Sequence, residues 1–143
     1  ALCISLPAAA ELRPWYVALD TLPEIAQLTD FTFGRVWEVS AGSRVSVAAS
    51  FTSTSDVPIE AVRVAIVLVD YFDEIIADYK VSLMGLVEPG ETIPLKQDVP
   101  LLARRTPLMG FIWIDAVRLS DGRLIRVRRE DVERMMAEHH YGR

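Results

Sequence analysis

The sequence predicts an all-β fold, two packed antiparallel sheets of about seven strands, and three observations carry that prediction. Apolar residues recur with a period of two over most of residues 31–128. Turn-forming clusters interrupt that pattern at regular intervals. No run of strand–helix–strand alternation occurs, so a parallel α/β sheet is not expected.

The elements follow in order. "PAAAELRPWYVALDTLPEIAQL" (7–28) has helical character, but Pro14 and Pro23 break it, so short helical turns are expected. "FTFGRVWEV" (31–39) puts Phe31, Phe33, Trp37 and Val39 on one face, with Arg35 as the exception. "RVSVAASFT" (44–52) alternates more cleanly, with Val45, Val47, Ala49 and Phe51 on the apolar side. "STSDVP" (53–58) is a turn cluster.

"IEAVRVAIVLVDYF" (59–72) is apolar on both faces. Val62, Val64, Ile66 and Leu68 form one; Ala65, Val67, Val69 and Tyr71 form the other, after Arg63. Such a strand needs cover on both sides. "IIADYKVSLMGLV" (75–87) sets Ile75, Ala77, Tyr79, Val81 and Leu83 against Asp78, Lys80 and Ser82. "EPGE" (88–91) is a turn, and the Pro-containing "TIPLKQDVPLL" (92–102) suits a sheet edge. "FIWIDAVRL", "SDGR" and "LIRVR" (111–128) read as strand, Asp-Gly hairpin turn and strand. "REDVERMMAEHHYGR" is helical, with Val132, Met135, Met136 and His139 roughly on one side. The organisation is thus an N-terminal extension (1–30), a β-sandwich of immunoglobulin-like type (31–129) and a C-terminal helix (130–143).

The chain has 143 residues, 51% hydrophobic and 24% charged, enough to bury the core of one domain. Net charge is -5, split between -8 over residues 1–100 and +3 over 101–143. An acidic majority argues against a dedicated nucleic-acid binder. No apolar run reaches the roughly 20 residues of a membrane-spanning helix. Cys3 is the single cysteine, so neither an internal disulfide nor a multi-cysteine zinc site is possible. "ALCISLPAAAEL" reads either as the remnant of a signal peptide, with Ala8 and Ala10 in A-x-A spacing, or as a short apolar element.

The stretch "SDVPIEAVRVAIVLVD" followed by "PGE" resembles the FxLYD-type sandwich modules of bacteria and archaea, over residues 45–128. Pro58-Ile59 opens the signature strand, Asp70 closes it, and Pro89-Gly90-Glu91 supplies the later turn. Ile66 and Val69 stand where that family has Phe and Tyr, and Asp73-Glu74 replaces a glycine. The resemblance implies an extracytoplasmic or periplasmic, non-catalytic module.

Four carboxylates, Asp70, Asp73, Glu74 and Asp78, fall in the otherwise apolar stretch "VAIVLVDYFDEIIADYK" (64–80). Asp70, Asp73 and Asp78 are the candidates for a calcium-type site or a metal-dependent enzyme. The loop lacks the D-x-D-x-D-G pattern, and no His, Lys or nucleophilic Ser is placed to work with it, so a hairpin turn is the expected role. Asp115 interrupts an apolar strand and reads as an Arg-paired carboxylate near a bend, with a general base as the alternative. His139 and His140 point about 100° apart on a helix and do not form a joint chelate. Arg123, Arg126, Arg128 and Arg129 form a basic run, and Arg126 with Arg128 could bind anions weakly.

No cofactor is expected. The leading expectation is a non-catalytic interaction or structural module with an unidentified protein partner, or a homodimer. Its candidate surface combines Val67, Val69 and Tyr71 with Arg126 and Arg128. The expected cover for the second apolar face is the stretch 12–28, through Leu12, Trp15, Tyr16, Leu19, Ile25 and Leu28. The C-terminal helix, through Val132 and Met135, is the alternative lid.

Overall fold

A computed structural model describes residues 15–39, 42–102 and 105–141. The elements are β1 (Trp15–Leu19), β2 (Ala26–Val39), β3 (Gly42–Ser53), β4 (Ile59–Asp70), β5 (Ile75–Val87), β6 (Thr92–Pro100), β7 (Pro107–Leu119), β8 (Leu124–Arg126) and α1 (Arg129–Tyr141). They form two sheets, β2-β3-β6 and β1-β7-β4-β5, with β8 also on β7. The all-β sandwich and its C-terminal helix are therefore as the sequence reads.

β1 is the departure. Helical turns are expected through this stretch, yet Trp15–Leu19 is extended and pairs in parallel with Met109–Trp113. "WYVAL" is rich in aromatic and β-branched residues, and an open edge on β7 was available to it. Among the described residues of this stretch a turn forms at Leu22, whose carbonyl accepts from the N–H groups of Ile25 and Ala26. β2 also begins earlier than residue 31, at Ala26.

The inner faces of both sheets make one core. Val45, Val47 and Phe51 of β3 meet Val64, Ile66 and Leu68 of β4, all essentially inaccessible to solvent. Ile25 and Leu28 join this inner core, and the Tyr16 ring packs edge-on against Phe31 and Phe33.

A second, smaller cluster lies on the outer face of the β1-β7-β4-β5 sheet. It contains Leu19, Ala65, Val67, Val69, Met109, Phe111, Trp113 and Val132, with Met135 and Met136 packed against it. So the second face of β4 is covered by α1. The stretch 15–28 does not form the lid expected of it. β1 widens the sheet instead, and contributes Leu19 from within its plane. Leu12, Cys3, and the small-residue segment at 8–10 lie outside the described residues.

Two bulges correct the face assignments. Between Leu68 and Val69 the register on β5 slips by one, so Ile76 and Ala77 are buried and Ile75 is exposed. On β2 a shift between Phe33 and Val36 turns Val36, rather than Trp37, toward the inner core.

Candidate functional site

Four adjacent strands lay out the outer face in rows, because residues directly opposite in a ladder share a face. One row runs Asp78, Val67, Phe111, Val17. The next runs Lys80, Ala65, Trp113, Leu19. The third runs Ser82, Arg63, Ala116, Arg126. Charge therefore concentrates at the β5 side and along the third row, while the middle is apolar.

α1 lies over part of this face and leaves a cleft of about 320 Å³ beside β5. Val67, Trp113, Val132 and Met136 supply its apolar surface. Arg63, Lys80, Arg126 and Arg129 supply cations; Asp78, Asp115 and Glu133 supply carboxylates. Its volume falls at the small end of the ~300–1,000 Å³ typical of ligand pockets. A second depression of about 200 Å³ continues past Arg63 and Arg126 toward Met84 and Leu124. Met84 is 80% exposed there.

The middle of the cleft is built around Asp115. Arg63 pairs with Ala116 in the ladder and Val64 with Ile114, so Asp115 is the extra residue of a bulge in β7. The bulge brings its carboxylate to Arg63, whose Nε donates to Oδ2 at 2.8 Å, and Lys80 Nζ stands 3.5 Å from the same oxygen. The freed backbone is satisfied locally: Thr21 Oγ1 donates to the Ile114 carbonyl at 2.7 Å, and the Val127 N–H to the Asp115 carbonyl at 3.0 Å. The expected Arg-paired carboxylate near a strand bend is what the chain forms.

On the helix side, Arg129 Nε donates to Glu133 Oε1 at 3.1 Å, one turn on. Among the described residues, Arg126 and Asp78 make no ion pair. Trp113 is 7% exposed, and its Nε1 is buried with no acceptor among the described residues. An unanswered buried donor costs on the order of 1–3 kcal/mol.

The carboxylates of the β4–β5 turn do something else. Asp70 is 2% exposed. Its Oδ1 accepts from the Phe72 and Glu74 N–H groups, each at 2.9 Å, and its Oδ2 from Arg105 Nη1 at 2.9 Å. Arg105 also pairs with Glu74. Burial pushes the Asp70 carboxyl up, but the Glu74 N–H, the Arg105 guanidinium and the Phe72 N–H together outweigh it and hold it below the usual carboxylate range. The hydrogen bonds that Arg105 donates to Asp70 and Glu74 raise its guanidinium still further. Asp73 takes the left-handed conformation in this turn, at φ 60°. Asp70 is thus the anchor of the turn, while Asp78 lies three strands from Arg126 on the cleft rim. Among the described residues no cluster of three or more His, Cys, Asp or Glu could hold a metal ion.

The sequence candidates separate accordingly. Val67 is in the cleft and Val69 under α1, whereas Tyr71 stands in the exposed turn. Arg126 lines the cleft, but Arg128 sits 3.9 Å from Asp131 at the start of the helix. His139 is exposed, and the His140 side chain lies outside the described residues. Sequence reasoning does not select Arg63, Lys80, Trp113 or Met136 as site residues. Two signals pointed there: Arg63 is the charge that starts the otherwise apolar second face of β4, and Asp115 is the charge that interrupts β7.

No family model matches the chain, and no curated protein matches it. A solved structure, that of a protein provisionally assigned as ApaA from Bordetella pertussis, is similar at a TM-score of 0.40 and 14% identity. That likeness covers 73% of this chain and 91% of the other.

Proposed function

We propose that the chain is a non-catalytic interaction module, an immunoglobulin-like sandwich that recognises its partner through the outer-face cleft between β5 and α1. The observation behind this reading is how the charges there are used. Arg63 and Lys80 are both held by Asp115, and Arg129 by Glu133. Such mutual pairing fixes the walls of a binding surface, and the described lining residues include no Ser, Thr, Cys or His to serve as a nucleophile–base pair. The likeness of residues 45–128 to FxLYD-type modules supports the same reading and favours a location outside the cytoplasm. No helix among the described residues is long and apolar enough to cross a membrane.

A library of chemically diverse small fragments tests the proposal by nuclear magnetic resonance. Bound fragments should perturb backbone signals of Lys80, Trp113, Arg126 and Met136, and be recovered unchanged after long incubation. Perturbations concentrated elsewhere would remove the cleft from consideration. Consumption of a fragment would replace the interaction reading with an enzymatic one.

A further inference from the structure

Building on the interaction reading, we infer that the cleft takes a small monoanion with an apolar body, a carboxylate on an aromatic or branched aliphatic frame. Three observations converge on that chemistry. The lining is apolar and partly aromatic, with Val67 and Trp113 as the sheet floor and Met136 facing in from α1. Charge along the walls is uneven, with four cations against three carboxylates in a chain whose net charge is -5. Within that set Arg126 is the cation without a carboxylate partner among the described residues. Arg63 is already committed to Asp115 at 2.8 Å and Arg129 to Glu133 at 3.1 Å.

Arg126 is therefore the group that gains most from an incoming carboxylate, and its planar fork suits one bidentately. Asp78, across the sheet on β5, sets the orientation. It repels the charged end of the ligand and so directs it toward β8 and the start of α1. The apolar body then lies over Trp113 and Val67. The buried Trp113 Nε1, without an acceptor among the described residues, marks this floor as the part of the sheet whose polar capacity is unused. A dianion fits less well, because among the described lining residues one cation is unengaged and Asp78 faces the cleft.

The test uses three probes on the whole chain: 3-phenylpropionate, its neutral amide, and propionate. Binding is read from the Trp113 indole N–H signal, assigned with Trp113→Phe. The carboxylate should bind saturably, and the amide about tenfold more weakly, the worth of one charge-assisted hydrogen bond. Propionate, lacking the apolar body, should not saturate. Arg126→Gln should bring the carboxylate-to-amide affinity ratio close to one while the amide still binds saturably through the apolar body, a readout that general loss of structure would not give. Equal binding of carboxylate and amide to the native chain would overturn the inference, as would a preference that survives Arg126→Gln. If fragments of other chemistry still map to the cleft in that case, the interaction reading stands and only the ligand class falls. If nothing maps there, both fall.

Discussion

Arg63 Nε and Asp115 Oδ2 meet at 2.8 Å across adjacent strands, and the bulge that makes this possible adds one residue to β7 only. Asp115 also holds Lys80, at 3.5 Å, so one carboxylate keeps two cations together at the cleft. Removing its charge leaves those cations facing each other. Both are well exposed, at 38% and 52% of their side-chain surface, so water screens the loss. Asp115→Asn should therefore cost only about 1 kcal/mol in urea unfolding at low salt. The cost should shrink in ~1 M salt, where the screening length falls to about 3 Å.

Asp70 gives the fold an acid-sensitive anchor. Its carboxyl is held below its ordinary value of 3.8, so the folded chain resists protonation more than the unfolded chain does. Above about 3.8 both states are ionised and the full contribution is present. As the pH drops below that value the unfolded state takes up the proton first, and the contribution is lost as the pH passes the lower folded value. Asp70→Asn should be less stable than the native chain near neutral pH, with the gap closing as acid is added. Chemical denaturation at a series of pH values measures this. A gap of constant size down to the acid limit would show that Arg105 and the two N–H donors do not act through the charge.

Gly110 is required for a reason unrelated to backbone freedom. A β-carbon there would stand 2.7 Å from Phe33 Cε1 and 3.0 Å from Leu68 Cδ2. The Phe33 ring occupies the space above the β7 backbone, beside Tyr16, whose ring centroid is 4.6 Å away. Gly110→Ala should destabilise by about 1–3 kcal/mol, the usual cost of overpacking. Pairing it with Phe33→Leu should recover part of that loss, and a double-mutant cycle in thermal unfolding reads the coupling.

Most of the sheet structure was legible because each strand declares its face through alternation. Val62, Val64, Ile66 and Leu68 are inside as read, and Ala65, Val67 and Val69 do form a second buried face. Bulges carry no such signal. The slips at Leu68/Val69 and Phe33/Val36 move Ile75, Val36 and Trp37 to faces that strict period two does not give them. β1 was hidden because its five residues find their partner almost a hundred positions away, at Met109–Trp113. The cleft was hidden for the same reason. Lys80, Trp113 and Met136 become neighbours only through the ladder Lys80–Ala65–Trp113 and the return of α1 over it. Local chemistry, such as the Asx turn of Asp70 and the hairpin at Asp121-Gly122, was readable because it is made within a few residues.

The docking of α1 is the step on which the site depends. A helix of 13 residues is marginal alone in water, even with Glu130 and Asp131 favourably placed in its first turn. Its ion pairs, Arg129–Glu133 and Arg134–Asp131, lie on exposed side chains and add little. What holds it is a narrow apolar side, with Val132 5% exposed and Met135 and Met136 packed on the Phe111–Trp113 cluster. The inner core uses none of these helix residues. Val132→Asp would press a carboxylate into the apolar Phe111–Trp113 cluster, whereas undocking returns it to water, so undocking is favoured over burial. The variant should keep a cooperative unfolding transition from the inner core. It should lose the helical part of its far-ultraviolet circular dichroism, bind a hydrophobic dye through the uncovered Val67, Phe111 and Trp113, and lose the cleft's affinity for 3-phenylpropionate. Val132→Ala, a milder change, should weaken stability by about 1–2 kcal/mol without dye binding. If Val132→Asp retains its helix and binds no dye, the outer face is covered by something other than α1 packing, and the cleft as drawn does not exist.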